Sequence, residues 1–103
     1  MIVAITSSGN NENSLVDQRF GRCAFFALYN TESKELEFVK NENQNAEEGA
    51  GPASVAFVAN KKVEKIISGE FGYKIKGMLN DLNIQMVMLK QQKTVKEIIH
   101  LLN

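Results

Sequence analysis

The stretch "VEKIISGEFGYKIKGMLNDLNIQMVML", residues 63–89, decides the fold. It opens as a short buried strand, followed by two glycines at 69 and 72. Ile75, Met78, Leu79 and Leu82 then recur at i, i+3, i+4 and i+7, the spacing of one face of an amphipathic helix. "NIQMVML", residues 83–89, is a second strand. A strand–helix–strand unit requires parallel pairing through a right-handed crossover, because a tight turn can join only antiparallel strands.

Working outward, the segment before this unit has Pro52 placed for the first turn of a helix that runs to about Asn60. After it, Thr94 and Glu97 form a capping box, and Val95, Ile98, Ile99 and Leu102 give another helical stripe. Near the N-terminus, "IVAIT" (residues 2–6) is a continuously apolar, β-branched run, as expected of a strand covered on both faces. "AFFALYN" (24–30) and "KELEFVK" (34–40) are two further strands, joined by the short link "NTES" as an antiparallel hairpin. The expected order is β-β-β-α-β-α-β-α: an α/β domain with a mixed five-stranded sheet and helices on its faces. Residues 8–19 and 41–51 are long polar loops, rich in asparagine.

The totals bound the function. A chain of 103 residues makes one domain, spanning 1–103. Twelve basic and twelve acidic residues cancel, which argues against a nucleic-acid binder. A single cysteine fits a reducing compartment. No signal-peptide pattern and no membrane-length apolar run is visible, so a cytoplasmic, soluble protein is expected.

In open α/β sheets, ligands bind outside the carboxyl ends of the parallel strands. Three glycine-bearing segments leave such ends or open helices: "SSGNNENSLVDQRFGRC" with Ser8 and Gly9, "EEGAGP" with Gly49 and Gly51, and "SGEFG" with Gly69 and Gly72. Two of them run into helix N-termini, which favour an anion. The first holds both arginines of the chain. The planar fork of Arg19 or Arg22 suits a carboxylate or phosphate-like anion, Phe20-Gly21 lies between them, and Asp17 is placed to pin the loop. Cys23 has two readings, a small buried hydrophobe or a thiolate metal ligand favoured by adjacent cations. With only Cys23 and His100 as soft ligands, a closed metal site is excluded. His100 reads as a surface residue, and no nucleophile–base pairing or phosphate-loop fingerprint is present, so a binder is expected and not an enzyme.

"VDQRFGRCAFFALYN", "GAGPA" and "SGEFGYKIKGMLNDLNIQMV" together resemble the dinitrogenase iron–molybdenum cofactor biosynthesis family, the nitrogenase accessory factors, over essentially the whole chain. The most specific element is the D-x-R-F-G-R-x-x-x-F block at 17–26. The resemblance implies a ribonuclease-H-like three-layer fold. It implies a small carrier for an iron–sulfur cluster, an iron–molybdenum-type cofactor or a precursor, with cofactor-assembly proteins as partners. Asp17, Arg19, Phe20, Gly21 and Arg22 match the family's block, and Gly49, Gly51, Gly69 and Gly72 match its loops. Cys23 stands where the family tolerates small residues. The alternative is a metal-independent module for an anionic ligand or a protein on the same edge, in either case a monomer or weak dimer. A hydrolase rests on sheet topology alone.

Overall fold

The computed structural model describes all residues, 1–103. The elements are β1 (Ile2–Ser7), β2 (Phe25–Asn30), β3 (Leu36–Lys40), α1 (Ala50–Asn60), β4 (Val63–Ser68), α2 (Tyr73–Asp81), β5 (Gln85–Met88) and α3 (Val95–Leu102). They form one mixed sheet in the order β3-β2-β1-β4-β5. β1 pairs antiparallel with β2 and parallel with β4. β2–β3 is the expected antiparallel hairpin and β4–β5 the expected parallel pair.

The apolar run of β1 is explained by its central place. Val3, Ala4 and Ile5 are all fully buried, and alternate side chains enter opposite layers. Ala4, Phe26, Leu28 and Ile66 pack beneath Val55 and Val58 of α1 and Ile75 and Leu79 of α2. Val3, Ile5, Ala27 and Ile67 pack beneath Val95 and Ile98 of α3. The result is three layers, with two helices on one face of the sheet and one on the other. Burying side chains such as Phe26 or Ile5 contributes about 2 kcal/mol each.

The local predictions carry over with two differences. Leu82 does not complete the α2 stripe: it is 49% exposed, because the helix ends at Asp81. The loop after β1 is also less open than its composition suggests. Val95 N–H donates to Ser14 O at 2.9 Å and Lys96 N–H to Glu12 O at 2.8 Å, so the loop caps the first turn of α3. The Thr94–Glu97 capping box is present beside it.

Chain direction across the sheet reverses between β1 and β4. β1 leads left to β2 and β3, while β4 leads right to β5. The carboxyl ends of β1 and β4 therefore flank the crevice where such folds place ligands.

Two glycines separate close packing from helix propensity. A Cβ on Gly69 would lie 2.6 Å from Gln18 Cα, whereas one on Gly77, within α2, would meet nothing within 4 Å. Gly69→Ala should lower the unfolding free energy by about 2–3 kcal/mol through a backbone clash. Gly77→Ala should raise it by about 0.5–1 kcal/mol. Urea denaturation followed by circular dichroism reads both.

Candidate functional site

The segment 17–23 is held at the crevice by its backbone. Asp17 N–H donates to Thr6 O of β1 at 2.9 Å, and Asp17 O accepts from Gly69 N–H, just past β4, at 3.1 Å. Thr6 Oγ1 also donates to Asp17 O at 2.9 Å and reaches Ser68 Oγ at 3.0 Å. Thr6 and Ser68 are both fully buried, so these hydroxyls are polar groups satisfied inside the fold. The Asp17 carboxylate accepts from Arg19 N–H at 3.0 Å and lies 3.9 Å from Arg19 Nε, which fixes the turn into Phe20. Phe20 N–H then donates to Glu70 O at 3.2 Å.

These contacts shape a depression of about 230 Å³ lined by Arg19, Phe20, Arg22, Glu70, Phe71 and Gly72. Phe20 and Phe71 are nearly buried, their ring centroids 5.6 Å apart, and give it an apolar floor. Gly72 is the N-cap of α2 and has no side-chain cap. α1 likewise begins at Gly49, with φ 77°, no side-chain cap and no acidic residue in its first turn. Its first turn packs against the same loop: a Cβ on Gly21 would lie 3.2 Å from Gly51 Cα.

The two arginines have different environments. Arg22 Nη1 donates to Gln44 O at 3.2 Å and to Ala46 O, so its guanidinium clamps the 41–49 loop. Arg19 is 61% exposed in its side chain, and its single hydrogen bond is a long one, 3.5 Å, from Nη2 to Arg22 O. Beyond that bond and the 3.9 Å approach of its Nε to Asp17 Oδ1, the guanidinium has no hydrogen-bond partner in the protein. The symmetric expectation of two ligand-facing forks thus meets one fork that is open and one engaged with carbonyl oxygens.

The glycines also divide. Gly21, Gly51 and Gly69 sit where elements touch: a Cβ on Gly51 would lie 2.7 Å from Ile75 Cδ1, and Gly69 abuts Gln18. Their lack of a side chain brings the three segments together. Ser8 and Gly9 belong to a different part of the loop, where Ser8 N–H donates to Leu15 O at 2.9 Å and Ser7 Oγ to Gly9 O at 2.6 Å. The depression is built without them.

Cys23 is fully buried in the layer beneath α1 and α2. Burial first, and then the charge of Asp17, pushes its thiol up to about 12 against the partial offset of the Asn41 side chain. It is a neutral thiol at neutral pH, and the thiolate-ligand reading has no exposed sulfur to rest on. No group of three or more His, Cys, Asp and Glu side chains is placed to hold a metal ion. His100 is exposed on α3, away from the depression.

One contributor was missed from the sequence. Asn41 is buried, and its Nδ2 donates to Gly21 O at 2.9 Å and Cys23 O at 2.8 Å, fixing the curve of the arginine loop. It is one asparagine among several in "NENQN", and nothing local distinguishes it. Glu70 also lines the depression, beside Arg19 in an isolated parallel bridge.

The comparisons with known proteins agree with this geometry. A family model described as dinitrogenase iron-molybdenum cofactor matches residues 1–103. The orange protein from Desulfovibrio gigas, solved in its apo form, is 27% identical with a TM-score of 0.89, the match covering 96% of this chain and 83% of that one. A Thermotoga protein described as NifB is 33% identical with a TM-score of 0.82, covering 96% and 84%. A dinitrogenase-type protein from Methanocaldococcus jannaschii, 16% identical with a TM-score of 0.66 over 98% and 86%, shares the fold. No curated protein sequence matches. With its sheet order, its arginine loop and a family match from end to end, the chain belongs to the dinitrogenase iron-molybdenum cofactor family.

Proposed function

We propose that this protein is a small carrier that holds a preformed anionic metallocofactor, iron–sulfur-based or of the iron–molybdenum type, in the depression between residues 19–22 and 70–72. The observation that carries the reading is the open guanidinium of Arg19 beside an aromatic floor and a helix start with no side-chain cap. A guanidinium and free backbone N–H groups stabilise negative charge, and the two phenylalanine rings suit the apolar faces of a sulfur-rich cluster.

The donor set restricts what can bind. With no group of protein ligands and with Cys23 buried as a thiol, the cargo has to arrive with its own ligands complete. Attachment then rests on charge and shape, which suits a protein that collects and passes on its load. Membership of the dinitrogenase cofactor family and likeness to a protein solved in an apo form support a carrier role over catalysis. The Glu70 carboxylate opposes an anion and keeps the binding reversible. Arg22 and Asn41 act by holding the loop in shape, not by contact with the cargo.

The test is anaerobic gel filtration with a preformed iron–sulfur cluster carrying small external thiolates, read by visible absorbance in the protein peak. Arg19→Ala should weaken retention about tenfold, the scale of losing hydrogen bonds to a charged group. Glu70→Gln should strengthen it, and raising the salt concentration should weaken it. Cys23→Ser should leave it unchanged. Absorbance that vanishes in Cys23→Ser and persists in Arg19→Ala contradicts the proposal.

The thiol gives an independent check. Its pKa in the fold, about 12, lies above the ordinary value of 9.0 that the unfolded chain approaches. The unfolded state therefore loses its proton first as pH rises. Stability from the buried thiol is complete below pH 9 and falls through the window up to about 12. Thermal unfolding across this range should show a steeper loss for the natural chain than for Cys23→Ala.

A further inference from the structure

Tyr73 is the most exposed large apolar side chain of the protein, at 92%, well beyond Leu101 at 69%. Folding does not account for it. Its hydroxyl has no hydrogen-bond partner, whereas Tyr29, the other tyrosine, is buried and donates to Asn103 Oδ1 at 2.6 Å. Its ring takes no part in the aromatic pairs, which join Phe20 to Phe26 and Phe71, and Phe26 to Phe57. The one cation over a ring is Lys61, above Phe57. Tyrosine is also a middling helix former, so propensity does not explain its place in the first turn of α2.

Its position does suggest a role. Tyr73 is the first residue of α2, directly after Gly72, which lines the depression, and two residues after Phe71, whose ring is part of the floor. Cα–Cβ bonds in an α-helix tilt toward its N-terminus, so a side chain in the first turn leans over the helix start. For Tyr73 that start is the rim of the depression. Gly72 adds a separate observation. Its φ of −62° is open to any residue, and a Cβ there would meet only Ile75 Cγ1, at 3.7 Å. Neither backbone nor packing calls for glycine, and the bare Cα leaves the rim between Phe71 and Tyr73 unobstructed.

We propose that Tyr73 is a ligand-contacting residue of the depression, and that the cargo it selects carries aromatic or other flat apolar groups among its external ligands. The inference rests on the carrier reading above and names the chemistry of the cargo's outer shell. Arg19 meets the net charge, Phe20 and Phe71 form the apolar floor, and Tyr73 closes over the outward side. A tyrosine ring has few rotatable bonds, so ordering it on a ligand costs little entropy while removing a large apolar area from water. Its hydroxyl keeps the ring tip in contact with water. That suits an exposed rim better than phenylalanine, whose ring would be wholly apolar there between loads.

The experiment uses the full chain in anaerobic gel filtration with two preformed iron–sulfur clusters of the same core and net charge. One carries mercaptoethanol thiolates and the other hydroxybenzenethiolates. Tyr73→Ala should weaken retention of the aryl cluster about fivefold, the scale of an aromatic pair, and that of the alkyl cluster less than about twofold. Tyr73→Phe should hold the aryl cluster as the natural chain does. Arg19→Ala should weaken both clusters by the same factor, since it acts on charge. Because the side chain lies in solvent, Tyr73→Ala should melt at the same temperature as the natural chain, so its loss of retention reads binding. No effect of Tyr73→Ala, an equal effect on both clusters, or loss of the aryl cluster in Tyr73→Phe would overturn the inference and leave the carrier reading in place. Retention of neither cluster by the natural chain would overturn both.

Discussion

The main chain of Asp17 is the constraint on which the functional edge depends. Its N–H is bonded to the end of β1 and its carbonyl to the chain just past β4, with the buried hydroxyls of Thr6 and Ser68 closing the same knot. A parallel β1–β4 pair has no covalent link at its carboxyl ends, so the crevice there is open unless something bridges it. Asp17 is that bridge. Once it is in place, the following residues have little freedom: Arg19 projects outward, Phe20 turns down onto Phe71, and Gly21 lies against the start of α1. Hydrogen bonds of this kind are worth about 1 kcal/mol each when exposed to competition with water, and breaking a buried one leaves an unsatisfied group at higher cost. The aspartate pinned the loop in the sequence reading through its carboxylate; in the fold its backbone does most of that work.

The architecture was legible because its signals are periodic. Ile75 and Leu79 fall on the buried face of α2, Val95 and Ile98 on that of α3, and the uninterrupted apolar run of β1 sits in the centre of the sheet. Side-chain periodicity survives folding because it is itself the rule for facing the core. The candidate site was legible as a place but less so in its parts. That Arg19 and Arg22 have different partners depends on where the 41–49 loop returns, and residue order gives no view of Gln44 O or Ala46 O. The glycines were read as openings for a ligand, and several prove to be contacts between backbones. The two situations demand the same residue for the same steric reason. Cys23 drew notice from its cationic neighbours, yet the strand that follows it carries it into the core, where burial and then the charge of Asp17 raise its pKa.

A carrier that offers no metal ligand of its own has a physical logic. Bonds from protein thiolates or imidazoles would make release slow and would tie loading to the acid–base state of the ligands. In the proposed reading, a guanidinium, a helix start and an apolar floor would give a modest, salt-sensitive hold on a complete anion. No helix is long and apolar enough to cross a membrane.

The central claim is that the cofactor is held without a bond from the protein to its metals. Metal-edge X-ray absorption of a preformed iron–sulfur cluster, recorded free and in complex with the protein, tests it most directly. The account predicts the same number and length of iron–ligand bonds in both spectra, with only small changes in edge shape from the nearby positive charge. A new sulfur, nitrogen or oxygen ligand that replaces an external thiolate on binding would contradict it.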